Sequence, residues 1–380
     1  MYHILHVVNI YFVLPSFIGN QFVFLNKKGH KVYVICSPSP YLEGYANKMQ
    51  FDYIEIEITR AITPIKDLKV LLSICLYIKR NKIDIIVGHT PKGALLAMIA
   101  GWIMRVPKRI YFRHGLVYET MQGFRRELLK NLDRLTAFCS TKVVCVSPSL
   151  YARSLDDHLN SEKKQIILGK GTCGGIDALS KFNPENINSL KIEHLRESLM
   201  IKPSDFVIGY CGRLVIDKGI IELVDAFIQL KKESDRESKL LLVGDYEERD
   251  SLPGHTIEKI RNNKDIIVTG FIFKDIEYYY ALMNLFILPS FREGFGTSVL
   301  EASAMKIPVL TTQVTGCIDS IIAGETGLYV SNTKESILNG ILLLIDDKNI
   351  ARFGLNGRKF VLNYFDNRVL WPIIEKELYS

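Results

Sequence analysis

A chain of 380 residues with 48% hydrophobic content is too long for one typical core, so two domains are expected. The net charge of +7 is uneven: residues 1–170 carry 24 basic and 12 acidic groups and the remainder 24 and 29, so the first half faces something anionic, a membrane surface or a phosphorylated molecule. No aromatic-flanked basic motif of a nucleic-acid reader accompanies that charge, and the longest apolar runs, 94–104 and 70–78, fall short of the roughly 20 residues that span a bilayer, so nucleic-acid binding and a transmembrane chain are both disfavoured.

Taken in chain order, the start alternates like a strand and lacks the basic region of a signal peptide. Strand-like runs at 4–8, 31–36, 53–56, 83–87, 109–112 and 142–146 alternate with helical stretches such as 20–28, stopped by Gly29, and 68–80. Turn-rich stretches at 169–175 and 182–189 make the best linker. The plan then repeats, with strands at 207–211, 239–243, 266–269, 285–288, 308–312 and 327–330 and helices at 219–232, 276–283 and 298–305. Residues 363–380 carry Trp371 and apolar residues at helical spacing. Short buried strands separated by helices predict an α/β protein with two Rossmann-like, doubly wound parallel sheets, divided into residues 1–175 and 176–362. Such sheets bind ligands at the carboxyl ends of their strands, which predicts a site in a cleft between facing domains. The seven cysteines form no C-x-x-C pair and read as small buried residues of a reducing compartment.

The most informative segment runs from Leu288 to Ala304: a strand ends, a loop carries Glu293, Gly294, Phe295 and Gly296, and a helix begins near Thr297 or Ser298. Glycines at a helix start let backbone amides approach an anion, which the helix dipole favours there. Glu301, one turn further on, is placed to accept hydrogen bonds from two vicinal hydroxyls. The plainer reading makes both carboxylates solvated and the glycines a simple turn. Upstream, Arg213 and Lys218 follow another buried strand in the run Cys211–Gly219. A guanidinium and an ammonium converging on phosphate oxygens stabilise the charge that a departing diphosphate gains.

The pattern E-G-F-G-x-x-x-x-E on this strand, loop and helix resembles glycosyltransferase family 4, which has the GT-B architecture, and residues 211–219 resemble its G-R-x-x-x-x-K-G element. The likeness covers nearly all of the second half and, more loosely, the first. It implies that Arg213 and Lys218 hold the donor diphosphate, Glu293 orients the sugar hydroxyls, Glu301 meets the ribose, and backbone around Gly294, Phe295, Gly296 and Ile272 lines the nucleotide. It also implies that Val243–Asp245 is a donor-side loop, that the Thr315–Cys317 turn faces the sugar, and that the last helix, 363–380, packs back on the first domain. In the first half, Gly19 opens the first helix where amides meet the donor phosphates or the acceptor. His114 matches the family histidine that contacts the donor sugar. His89–Gly93 resembles the H-T-x-K-G stretch of enzymes that build capsules, O-antigens and related bacterial glycans; Lys92 there meets an acceptor phosphate, or the segment caps a helix.

The resemblance implies transfer of a hexose or N-acetylhexosamine with retention, from a nucleoside-diphosphate sugar, UDP by family frequency, with no metal ion or other cofactor. The acceptor is then a polyprenyl-diphosphate-linked saccharide or another glycan. The enzyme would be cytoplasmic and peripheral on an anionic inner membrane face, docked through the basic clusters 79–82, 105–109 and 125–130 and through Leu95, Met98, Ile99, Trp102 and Met121. Two rivals differ in class. A GT-B nucleotide-sugar epimerase needs paired acid and base carboxylates in the first domain, which the sequence does not show. A non-catalytic nucleotide-sugar-binding subunit needs only the binding residues. No phosphate loop of the G-x-x-x-x-G-K-[ST] type, G-x-S-x-G elbow or zinc-spaced His/Cys set is present.

Overall fold

The structure is a computed structural model describing residues 1–248, 250–345 and 350–380. It divides into two compact units, one of Met1–Gly175 with Asn367–Ser380, the other of Ile176–Asp366.

In the first unit β1 (His3–Val7), β2 (Lys31–Cys36), β3 (Asp52–Glu55), β4 (Ile85–Gly88), β5 (Lys108–Arg113), β6 (Lys142–Cys145) and β7 (Gln165–Ile167) form a parallel sheet in the order β3-β2-β1-β4-β5-β6-β7. The second unit holds β8 (Phe206–Cys211), β9 (Ser238–Val243), β10 (Ile266–Val268), β11 (Leu285–Leu288), β12 (Val309–Thr312) and β13 (Gly327–Val330), parallel in the order β10-β9-β8-β11-β12-β13. Both sheets are doubly wound. Strand order reverses between β1 and β4 and again between β8 and β11, and a sheet of this kind opens a ligand crevice at such a switch point.

Central strands are apolar on both faces because helices cover both. Leu285–Leu288 is buried throughout and Phe227, on the helix Ile220–Glu233, is fully enclosed. Each such side chain contributes roughly 1.5–3 kcal/mol by leaving water. Apolar patterning located every strand except β7, whose three residues are too few to show a period. The helix expected at 68–80 begins earlier, at Pro64, because proline is well suited to a first turn that needs no amide donor, and Lys82 ends it in a left-handed conformation (φ 50°).

The helix Ile350–Tyr364 belongs to the second unit, and the tail of the first starts at Asn367. That tail is a short helix, Asn367–Ile374, continued by a π-helical turn at Glu375–Tyr379. Trp371 anchors it by donating its indole N–H to the Gly174 carbonyl (2.7 Å) and packing on Phe24.

Candidate functional site

The carboxyl ends of β8 and β11, on either side of the switch point, place the acidic and basic residues singled out in the second half. After β8 the chain turns through Gly212 to Arg213, whose carbonyl accepts a hydrogen bond from the buried Tyr210 hydroxyl (2.8 Å). A short 3-10 turn, Ile216–Lys218, ends at Gly219, where φ is +69°. A Cβ at Gly219 would lie 2.1 Å from the Pro289 carbonyl oxygen, so only glycine lets the loop after β8 touch the loop after β11.

That contact brings Lys218 onto Glu293. The ammonium donates to Glu293 Oε1, and the Ser290 hydroxyl donates to the same oxygen (3.0 Å). Both charged side chains are about 15% exposed. A second strap joins the same loops: Arg292 Nη2 lies 2.5 Å from Asp217 Oδ2, and the Phe291 amide donates to the Asp217 carbonyl (2.9 Å). Asn332 donates to the Pro289 and Ser290 carbonyls, and Thr312 to Ser290 (2.7 Å). Gly316, at φ +81°, sits so close that a Cβ would approach the Gly294 carbonyl to 2.6 Å, which puts the 315–317 turn directly against the Glu293 loop. Arg213 is 52% exposed and pairs with Glu247, on the loop after β9.

The helix Thr297–Ala304 begins at Gly296 with no side-chain cap, which leaves the positive end of its dipole for an anion. Glu301 lies one turn in. Its Oε2 accepts from the buried Tyr280 hydroxyl (2.7 Å), and burial holds the Glu301 carboxyl above its ordinary value. Three residues take duller parts. The Phe295 ring is buried against Phe365, so Phe295 offers a ligand its main chain alone. Ile272 is half-buried and flanked in sequence by the exposed Phe271 and Phe273, on a loop joined to the chain just after β9 by the Gly244–Gly270 bridge. Cys317 is fully buried, and burial pushes its thiol up to about 12, which makes it unreactive.

In the first unit the switch point holds histidines. His114, just after β5, accepts or donates at Nε2 with His89 Nδ1 (3.0 Å), and His89 Nε2 is 3.1 Å from Nδ1 of His6 on β1. The Phe17 ring stacks on His114 at 4.9 Å. Gly19 completes the turn that carries Phe17, at φ +58°, but its amide is bonded to the Leu14 carbonyl (2.8 Å). Gly19 therefore shapes the turn, and in this structure its own N–H is taken by Leu14. Lys92 is likewise engaged. It is buried, 2.6 Å from Asp67 Oδ1 and hydrogen-bonded to Thr59 Oγ1 (3.1 Å), so it ties the 59–63 loop down. Burial alone would raise the Asp67 pKa, but bonds from Lys92 and Thr63 outweigh that and hold it low. The helix that carries Lys92, Pro91–Ile103, has no side-chain cap either.

Sequence reasoning named neither Glu247, Ser290 and Tyr280 nor His6. Glu247, Tyr280 and His6 act across strands or loops far apart in the chain, and a one-dimensional pattern carries no sign of such pairs; Ser290 lies three residues from Glu293, and only the turn of the loop brings its hydroxyl back to the carboxylate. Among the described residues no three His, Cys, Asp or Glu side chains gather as a metal site.

A family model described as glycosyl transferases group 1 matches residues 191–360, and one described as glycosyl transferase 4-like matches residues 4–147. The capsular polysaccharide biosynthesis glycosyltransferase CapM of Staphylococcus aureus is 34% identical over 98% of this chain and 95% of its own length. The UDP-Gal:alpha-D-GlcNAc-diphosphoundecaprenol alpha-1,3-galactosyltransferase of Escherichia coli is 25% identical over 91% of this chain and 88% of its own. In fold, the Anabaena protein HepE, solved with UDP and glucose, superposes with a TM-score of 0.78 at 18% identity, covering 100% of both chains. With two matched family models, a full-length relative and paired parallel sheets carrying the E-G-F-G loop at a switch point, the chain belongs to glycosyltransferase family 4 and has the GT-B fold.

Proposed function

We propose that this glycosyltransferase moves a hexose or N-acetylhexosamine, with retention and without a metal ion, from a UDP-sugar to a polyprenyl-diphosphate-linked saccharide during surface-glycan assembly. The Lys218–Glu293 pair at the second switch point carries the reading. Without ligand, the ammonium is neutralised by Glu293 and the guanidinium of Arg213 by Glu247. A diphosphate is a stronger partner for both cations. Its arrival draws Lys218 and Arg213 to the phosphate oxygens and releases Glu293, still held by Ser290, to accept hydrogen bonds from the sugar hydroxyls. Glu301 keeps Oε1 for the ribose, since Tyr280 occupies Oε2. The acceptor hydroxyl attacks the face from which the diphosphate leaves, its proton passes to a departing phosphate oxygen, and the two cations absorb the developing charge. The donor and acceptor class follow the name of the E. coli relative, and the setting in surface-glycan assembly that of the S. aureus relative.

The test is calorimetry with UDP in the presence of EDTA. Binding is expected with no metal, and Glu301→Ala is expected to weaken it by about 1–3 kcal/mol through lost ribose hydrogen bonds. Binding that vanishes in EDTA and returns with magnesium or manganese would show the phosphate site to be wrongly assigned.

The first unit supplies a docking face for the bilayer that holds such an acceptor, on the cytoplasmic side where UDP-sugars are made available. No helix among the described residues is long and apolar enough to cross a membrane. On the helix Pro64–Asn81, Val70, Ile74 and Ile78 are buried, while Ile65, Leu68, Leu72 and Leu76 stand 57–77% exposed. Their spacing of three and four puts them on one stripe, flanked by exposed Lys66, Lys69, Lys79 and Arg80. Trp102 and Ile103 are exposed on the neighbouring helix. This face shares Trp102, Lys79 and Arg80 with the one expected from sequence and differs in its other members. Met98 is fully buried, Lys130 pairs with Asp157 at 2.8 Å, and the Arg109 guanidinium donates to the Cys139 and Val106 carbonyls. Each basic group near an anionic surface adds about 1 kcal/mol. Co-sedimentation with phosphatidylglycerol vesicles at low salt is expected, and Leu72→Glu with Leu76→Glu should abolish it. Equal pelleting of the double variant would move the docking face elsewhere.

A further inference from the structure

Three histidines end up in one hydrogen-bonded row because β1, β4 and β5 are neighbours at the centre of the first sheet. His6 Nδ1 meets His89 Nε2 at 3.1 Å, and His89 Nδ1 meets His114 Nε2 at 3.0 Å. Aromatic rings close the row: Phe112 stacks on His89 at 5.0 Å, Phe17 on His114 at 4.9 Å, and Phe22 stands nearly perpendicular to His6. His6 and His89 are buried to within a few per cent. Burial keeps all three rings uncharged at neutral pH, pushing His6 down to about 3, His114 to about 4 and His89 well below its usual value.

A neutral imidazole carries one N–H, so three rings share three protons among six nitrogens. Both contacts are hydrogen bonds only if all three rings point the same way. In one arrangement His6 donates to His89 and His89 to His114; His114 then carries its proton on Nδ1, and His6 Nε2 is a bare lone pair. In the other every bond is reversed; His114 Nδ1 is bare, and His6 Nε2 carries an N–H. His6 Nε2 is buried and has no hydrogen-bond partner. A buried donor without an acceptor is rarer and costlier than an under-used acceptor, and a ring such as Phe22 offers an N–H only a second-order contact. The buried end of the row therefore selects the first arrangement.

We propose that His6 and His89 are positioning residues that lock His114 as its Nδ1–H tautomer, so that His114 offers the substrate a hydrogen-bond donor and cannot serve as a base through that nitrogen. Among the described residues no hydrogen bond uses His114 Nδ1, so this N–H is the one left for a ligand oxygen. The role in transfer rests on the glycosyltransfer reading above: a donor at that place takes a sugar hydroxyl or ether oxygen, and the acceptor's proton must leave by another route. The tautomer itself is independent of turnover, so the two can fail separately.

The experiment is nitrogen-15 NMR of the full chain labelled at its eight histidines, with the His114 signals identified by their loss in His114→Phe. The expected result at pH 7.5 is a pyrrole-type Nδ1 and a pyridine-type Nε2 at His114. The reverse pattern in the wild-type protein overturns the proposal. His6→Met removes the donor that starts the row; it is expected to give a mixed His114 tautomer and lower kcat about fivefold, the equivalent of one neutral hydrogen bond, with UDP affinity unchanged. A His114 that keeps its wild-type tautomer in folded His6→Met would remove His6 from the role. If that variant does not fold, the wild-type spectrum alone still decides.

Discussion

Lys218→Ala is expected to lower kcat by about 100- to 1,000-fold, the usual consequence of removing one donor aimed at charge that develops in a transition state. Lys218 sits on the 3-10 turn after β8, held against Glu293 by the glycine contact at Pro289, so its position does not depend on a ligand to order it. The charge on a leaving diphosphate rises as the sugar bond breaks. Loss of the ammonium therefore removes an interaction that is stronger in the transition state than in the bound donor. The change should appear in kcat more than in affinity for UDP, which also has Arg213 and the helix start at Gly296. Glu293→Gln should retain UDP binding and lower kcat, because the amide presents a donor where the sugar hydroxyls need an acceptor. Steady-state transfer and calorimetry on the same preparations provide both numbers. A Lys218→Ala enzyme within threefold of wild type in kcat would leave the pair as a structural ion bridge.

Acid should weaken the first unit far more than ordinary surface titration does. The unfolded chain protonates its histidines as pH falls through about 6.5, whereas His114 and His6 in the folded unit resist until about 4 and 3. Between those limits the unfolded state binds more protons, so stability is fully present above about pH 6.5 and is lost as pH falls. At pH 5 the loss is about 2 kcal/mol for each of His6 and His114, on the order of 4 kcal/mol for the two, and His89 adds to it in the same direction, a large share of a domain's stability. Both tryptophans, Trp102 and Trp371, lie in this unit, so tryptophan fluorescence reports its unfolding separately. The urea midpoint read this way should drop clearly from pH 7.5 to pH 5, before most carboxylates titrate near 4. An unchanged midpoint over that range would mean that the three rings are not held neutral.

The alternation of apolar runs and helical stretches was enough to expect two parallel α/β units, and the glycines and charges of residues 211–219 and 288–301 marked the second unit's strand ends. Those signals are local: a buried strand, a loop and a helix start each lie within a few consecutive residues, so periodicity and residue type report them directly. The loss of Gly19's amide to Leu14, the burial of Phe295 and the capture of Lys92 by Asp67 were not legible, because each depends on a neighbour that folding supplies. The docking stripe was missed for a related reason. Helix Pro64–Asn81 is apolar on two sides, and only packing shows that Val70, Ile74 and Ile78 face inward while Leu68, Leu72 and Leu76 do not. Fold class, family and the chemical types at the donor end are all readable from residue order. The tertiary structure alone decided which charges pair and which histidines touch, since Lys218 with Glu293 and His6 with His89 are separated by 75 and 83 residues and meet only when doubly wound sheets bring the carboxyl ends of non-consecutive strands side by side.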